Sequence, residues 1–271
     1  MNLRSKSERQ PRARSGFRRP RLAVLGLAVL VSAGKPAGAA IDITGVAGLH
    51  NTAVNQSDQL MFDGTAEVNY TIVGHPLPAP YASAVTPVVV VNAFYPMNGG
   101  GGPWVANDTK SKWIAPSWNA NTAGTHGYYT YQTTFRLSAA YNPKTASLAG
   151  KWSSDNDGVE ILLNGVAQWA GHTGEQAYLS LHDFAIGSGF VMGENTLGFR
   201  FWDGYGTDGK RTRPGAYSGL RVTDLRLEAT PVPELSTWFT GAGALAILLC
   251  FAWSVHSRGS GVIRVGDSQM P

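Results

Sequence analysis

Alternation with period two is the feature that most restricts what this chain can become. In Tyr129-Thr130-Tyr131-Gln132-Thr133-Thr134-Phe135-Arg136-Leu137, the odd positions are aromatic, Thr or Leu, and the even positions are Thr, Gln, Thr and Arg. Side chains on a strand alternate between faces, so this segment predicts one buried and one wet face. Ala146, Leu148, Gly150 and Trp152 repeat the pattern, as do Leu197, Phe199 and Phe201. Val159, Ile161 and Leu163 run into Asn164-Gly165, the strongest short signal for a hairpin. Leu220 and Val222 change phase to Leu225 and Leu227, which predicts a bulge or bend. Val88 to Val91 is continuously apolar and β-branched, as in a strand covered on both faces. Short strands joined by Gly, Asn and Pro turns predict an all-β sandwich over residues 41–230. Gly99-Gly100-Gly101-Gly102-Pro103 reads as a mobile loop within it.

The ends have a different character. Residues 1–21 hold eight bases and one acid, a net of +7, and a 12-residue apolar run follows from Leu22 to Ala33. Lys35-Pro36-Ala37-Gly38-Ala39-Ala40 then offers small side chains. This order predicts a secretory signal over 1–40, cleaved near Ala39 and Ala40. A basic arm for nucleic acid would leave the apolar run without a role. Residues 41–257 carry 11 bases and 16 acids, a net of −5, so the region between the ends has no electrostatic footprint for DNA or RNA. The single cysteine is Cys250, so disulfides and Cys-ligated zinc are excluded from the β region.

Trp238 to Val255 is an uncharged 18-residue run, the lower limit for a membrane-spanning helix. Pro231-Val232-Pro233-Glu234-Leu235-Ser236 precedes it, and His256 and Arg258 follow. A Pro-Glu pair, a short span and a basic residue resemble the PEP-CTERM sorting signal, here over 231–258 with Pro233 and Glu234 as the motif. Leu235 replaces the family's second Pro, and a tail predicted to be disordered continues over 259–271. The resemblance implies processing by exosortase, a membrane protease-transpeptidase, in a Gram-negative host that exports exopolysaccharide. The protein would be held in the inner membrane transiently, then reach the cell surface or exterior. An ordinary single-pass anchor accounts for the same run.

A second resemblance covers roughly 45–230. Gly102-Pro103-Trp104, Ser111-Lys112-Trp113-Ile114, Gly127 to Phe135, Gly150-Lys151-Trp152-Ser153-Ser154-Asp155-Asn156, Ile161 to Gly165 and Ser218-Gly219-Leu220-Arg221-Val222 carry it. These segments are similar to the galactose-binding-like jelly-roll domains common in exported PEP-CTERM proteins. The resemblance implies architecture more than function, because the fold carries many unrelated roles.

Chemistry is sparse. Asp155-Asn156-Asp157-Gly158 lacks the acids of an EF-hand loop at both ends and is flanked by strands. Two uses are open to Asp155 and Asp157: ligands of an irregular structural Ca²⁺ site, or a tight turn between two strands. The histidines show no metal spacing, no nucleophile elbow is present, and no carboxylates pair at a catalytic spacing, so no enzyme activity is predicted. Trp202, Asp203, Tyr205 and Asp208 combine stacking surfaces and acceptors in one Gly-rich segment. They are the predicted carbohydrate-binding residues, with an exopolysaccharide or other glycan as partner. Tryptophan also fills sandwich cores, and a purely structural surface or biofilm component fits the same composition.

Overall fold

The computed structural model describes residues 38–77, 84–122, 125–204 and 217–233. The signal-peptide reading, apart from residues 38–40, and the membrane span lie outside these residues. Among the described residues, no helix is long and apolar enough to cross a membrane.

In chain order the strands are β1 (Ile41–Asp42), β2 (Tyr70–Gly74), β3 (Val88–Val89), β4 (Ile114–Ala115) and β5 (Gly127–Leu137). They continue with β6 (Ser147–Asp155), β7 (Asp157–Leu163), β8 (Val166–Ala170), β9 (His182–Ile186), β10 (Gly193–Asp203) and β11 (Gly219–Ala229). They form two antiparallel sheets. One runs β2-β5-β10-β7-β8; the other runs β3-β4-β11-β6-β9, with β1 also paired to β11. Helical structure among the described residues is confined to a few one-turn pieces, so these residues form an all-β sandwich.

The alternation of β5 holds along its whole length. Tyr129, Tyr131, Phe135 and Leu137 are buried, while Tyr128, Thr134 and Arg136 face outward. Its neighbour β10 buries Leu197, Phe199 and Phe201, registered so that Tyr131 lies opposite Phe199 and Tyr129 opposite Phe201. From the other sheet, Trp152, Phe184, Leu220, Val222 and Leu227 complete one core between the sheets. Trp152 meets Phe199 at 5.5 Å between ring centroids, and Phe184 meets the same ring edge-on at 5.6 Å. With no disulfide to constrain it, the sandwich is held by this apolar burial.

Asn164 and Gly165 both take positive φ (53° and 77°) between β7 and β8, as a two-residue primed hairpin turn requires. The phase change in β11 is a bulge: its register with β6 shifts between Thr223 and Arg226, with Asp224 at φ 53°. The Val88–Val91 strand is shorter than the apolar run. Only Val88 and Val89 pair as strand, and the amides of Val90 and Val91 donate instead to the carbonyls of Trp113 and Trp118. The glycine run is a tight turn rather than an open loop. A Cβ on Gly100 or Gly102 would lie 2.3 Å or 2.0 Å from the backbone of Phe94 or Pro96.

Between Asp155 and Asp157 the connection is a single residue. Strands β6 and β7 belong to different sheets, and Asn156 is the corner where the chain crosses between them.

Candidate functional site

The outer faces of the two sheets are treated differently. Outside the six-stranded sheet, the segment from 90 to 120 packs down as a second apolar cluster of Val90, Met97, Trp104, Trp113, Ala115 and Ala120. The outer face of the five-stranded sheet has an open groove of about 600 Å³, lined by Tyr128, Thr130, Glu160, Leu162 and Arg200 among others.

Strand register builds this groove. Tyr128 stands opposite Trp202, and Thr130 opposite Arg200, across β5 and β10; Arg200 stands opposite Glu160 across β10 and β7. Tyr128 is 44% exposed although it is a large aromatic. The guanidinium of Arg200 lies 4.4 Å from the centre of its ring, a cation–π contact. Glu160 fixes that guanidinium from the far side, accepting a hydrogen bond from Arg200 Nη1 at 3.1 Å. Trp202 packs edge-on against Tyr128 at 4.8 Å and lies 6.3 Å from the His126 ring. Gly198 lies in the same row of β10, where a Cβ would press on Leu162 at 3.3 Å. The groove therefore joins an accessible aromatic to a planar set of N–H donors and a carboxylate acceptor.

Of the predicted carbohydrate-binding residues, Trp202 and Asp203 are among the described residues. Trp202 is half-buried on the outer face, at the end of the groove. Asp203, one position on, turns inward and is fully buried, so the two do not share a surface. Tyr205, Asp208 and Glu234 lie outside the described residues. Pro233 follows Val232, whose amide donates to the Ala140 carbonyl.

Asp155 and Asp157 have separate partners. Asp157 Oδ1 accepts from the Gly174 amide at 2.9 Å, and its Oδ2 is 2.7 Å from His172 Nδ1, which straps down the segment after β8. Asp155 Oδ2 accepts from the Trp104 indole at 2.9 Å. That indole lies across β11 at Gly219, where a Cβ would be 2.6 Å from the ring. Burial pushes the Asp155 carboxyl up to about 8 against the opposing indole hydrogen bond. Asp203 is pushed up to about 9 by burial and the neighbouring Asp155 charge, with the Thr122 hydroxyl opposing. Among the described residues, no three His, Cys, Asp or Glu side chains are grouped to hold a metal.

Sequence reasoning missed Tyr128, Arg200 and Glu160. The readable sign for Tyr128 was an aromatic residue at a position whose alternation predicts water. Glu160 and Arg200 are 40 residues apart and become partners only through strand register.

No protein-family model matches the chain, and no curated protein matches it. Among solved structures, the chain is similar to a crystal structure of the GH26-CBM35 β-(1,4)-mannanase of Podospora anserina, at 13% identity and a TM-score of 0.26. The match covers 64% of this chain and 29% of the mannanase chain, and at that level it bears on neither ligand nor activity.

Proposed function

We propose that the protein is a non-catalytic carbohydrate-binding module that takes a glycan along the outer groove of the five-stranded sheet. The observation that carries this is the exposed Tyr128, flanked by Arg200 and Trp202, with Glu160 completing a donor–acceptor pair. A sugar ring has apolar C–H faces and a rim of hydroxyls. An aromatic surface receives the first, while a guanidinium donating and a carboxylate accepting receive the second. Glu160 and Arg200 offset each other's charge, so the groove suits a neutral sugar. A few stacked and hydrogen-bonded contacts, after desolvation and ordering costs, support millimolar to micromolar affinity, about 4–8 kcal/mol.

In this reading the sandwich is a galactose-binding-like jelly roll, exported by the basic, apolar N-terminal segment. The Pro233-Glu234 tail then delivers it through an exosortase to the cell surface or exterior, where an exopolysaccharide is its partner. Affinity electrophoresis in gels containing neutral or acidic polysaccharides tests the binding claim. Wild-type protein should be retarded by at least one neutral polysaccharide. Tyr128→Ala should lose that retardation while keeping its unfolding midpoint. Retardation unaffected by Tyr128→Ala places the ligand elsewhere; no retardation by any polysaccharide favours a purely structural surface component.

A further inference from the structure

We propose that the end of the sandwich at the β6–β7 corner binds a divalent cation of the calcium class, held by the carboxylates of Asp155 and Asp203 with the hydroxyls of Thr122 and Ser218. This site differs from the groove and from a loop site built on Asp155 and Asp157.

Four chain segments converge there. Asn156 brackets Asp203: its amide donates to the Trp202 carbonyl at 3.2 Å, and its Oδ1 accepts from the Gly204 amide at 2.8 Å. Asp155, the residue before it, is near enough for its charge to act on the Asp203 carboxyl. From β5 and the segment before it, Thr122 Oγ1 reaches Asp203 Oδ2 at 3.4 Å, a long contact. Ser218 precedes β11, whose Gly219 pairs with Asp155, and its amide donates to the Ala120 carbonyl. The inward phase of Leu220 and Val222 extends back to Ser218.

The polar accounting singles this place out. Asp203 Oδ1, Ser218 Oγ and the Tyr131 hydroxyl are all buried and lack a hydrogen-bond partner among the described residues. All three residues are fully buried. The Tyr131 hydroxyl is close enough to feel the Asp203 charge. An unpaired buried polar atom is costly, and buried sandwich interiors seldom hold several at one spot. Two carboxylates set side by side in a dry interior must either keep protons or share a cation.

The donors are all oxygen, which excludes soft-metal chemistry and points to a hard cation. They come from separate segments in no regular polyhedron. Calcium tolerates irregular sets of carboxylate and neutral oxygens, whereas magnesium demands a near-ideal octahedron. With the ion bound, the unpaired Tyr131 hydroxyl would donate to a water on it.

Thermal unfolding of the full-length chain at neutral pH, with calcium or with a chelator, tests this. Calcium should raise the unfolding midpoint saturably, with half-effect at about 10⁻⁴–10⁻³ M, the range of extracellular sites. Asp203→Asn should abolish the response and Ser218→Ala should weaken it. If wild type melts identically in calcium and chelator, or if the response survives in Asp203→Asn, the site is wrong and the pair is simply protonated. A second measurement serves should Asp203→Asn fail to fold. Terbium in this site should luminesce through Trp104, whose indole touches Asp155. The emission should be displaced by calcium, lost in Trp104→Phe and kept in Trp118→Phe. Emission unchanged by Trp104→Phe overturns the assignment.

Discussion

Two arginines on outer sheet faces have opposite fates. Arg221 on β11 and Arg200 on β10 both point away from the core. Arg221 is 1% exposed, because the segment from 104 to 113 folds over it. It is held by Asp108 at 2.6 Å, by Ser111 Oγ at 2.9 Å and by the Ala106 carbonyl. Arg200 has a side chain 38% exposed, tied to Glu160 and resting on Tyr128 in an open groove. Both solve the same problem, a cation on a sheet face. Where a loop covers the face, the guanidinium is held by the loop and the residue anchors the fold. Where no loop covers it, one carboxylate orients the guanidinium and the remaining donors face outward, where a ligand can use them.

Removing each arginine is the sharpest way to break this contrast. Arg221→Ala strips a buried guanidinium from three partners, a loss of about 2–3 kcal/mol that falls mainly on its buried hydrogen bonds because Asp108 is part-exposed. Arg200→Ala removes a partly exposed pair and should cost about 1 kcal/mol or less, while weakening glycan retention. Urea unfolding of both variants reads the stabilities directly. If Arg200→Ala is as destabilising as Arg221→Ala, the groove is scaffold and its role in binding fails.

A smaller effect separates the buried acids from both arginines. The carboxyls of Asp155 and Asp203 hold their protons far above the ordinary range near 3.8, to about 8 and about 9. The folded state therefore binds protons that the unfolded chain has already released. Their contribution to stability is fullest below about pH 4 and is lost as pH rises through the raised folded values near 8 and 9. In the presence of chelator, Asp203→Asn should flatten this fall and melt above wild type at pH 8. A wild-type midpoint that rises between pH 6 and pH 9 in chelator would contradict the burial of these groups in a dry interior.

How much of this could be read from sequence depends on the range of the interaction. Where the signal is local it was plain. Tyr129 to Leu137 alternates and forms β5; Asn164-Gly165 forms the hairpin turn; the phase change after Val222 is the bulge at Asp224. The turn at Asn156 is legible but the change of sheet is not, because Asn and Asp favour a turn without saying which sheet the next strand joins. That choice is made by Trp152 and Ile161 burying against a shared core. The candidate groove was only half legible. Trp202 stood out, but Asp203 was grouped with it by adjacency, although consecutive strand residues face opposite ways. Tyr128 broke the wet-face rule by one residue. The Arg200–Glu160 pair depends on β10 lying between β5 and β7, an order that no stretch of sequence declares.

The mildest test sharpens the ligand reading rather than the fold. Glu160→Gln keeps the shape of the groove floor and one acceptor oxygen, but removes the charge that offsets Arg200. The pair is partly exposed, so the change should cost less than about 1 kcal/mol of stability. Its consequence lies in selectivity. In the wild type the guanidinium is neutralised beside Tyr128, and a neutral ring gains most from stacking and hydroxyl bonds. Once Glu160 is neutral, Arg200 attracts carboxylate or sulfate groups on a sugar, an attraction that salt screens over a Debye length of about 8–10 Å. Retardation in acidic polysaccharide gels should then increase at low salt and return to the wild-type level at high salt, while retardation by the neutral polysaccharide falls because one hydroxyl acceptor is weaker. If Glu160→Gln changes neither, the glycan does not approach the Arg200–Glu160 pair, and the stacking surface must be sought around Trp202 alone.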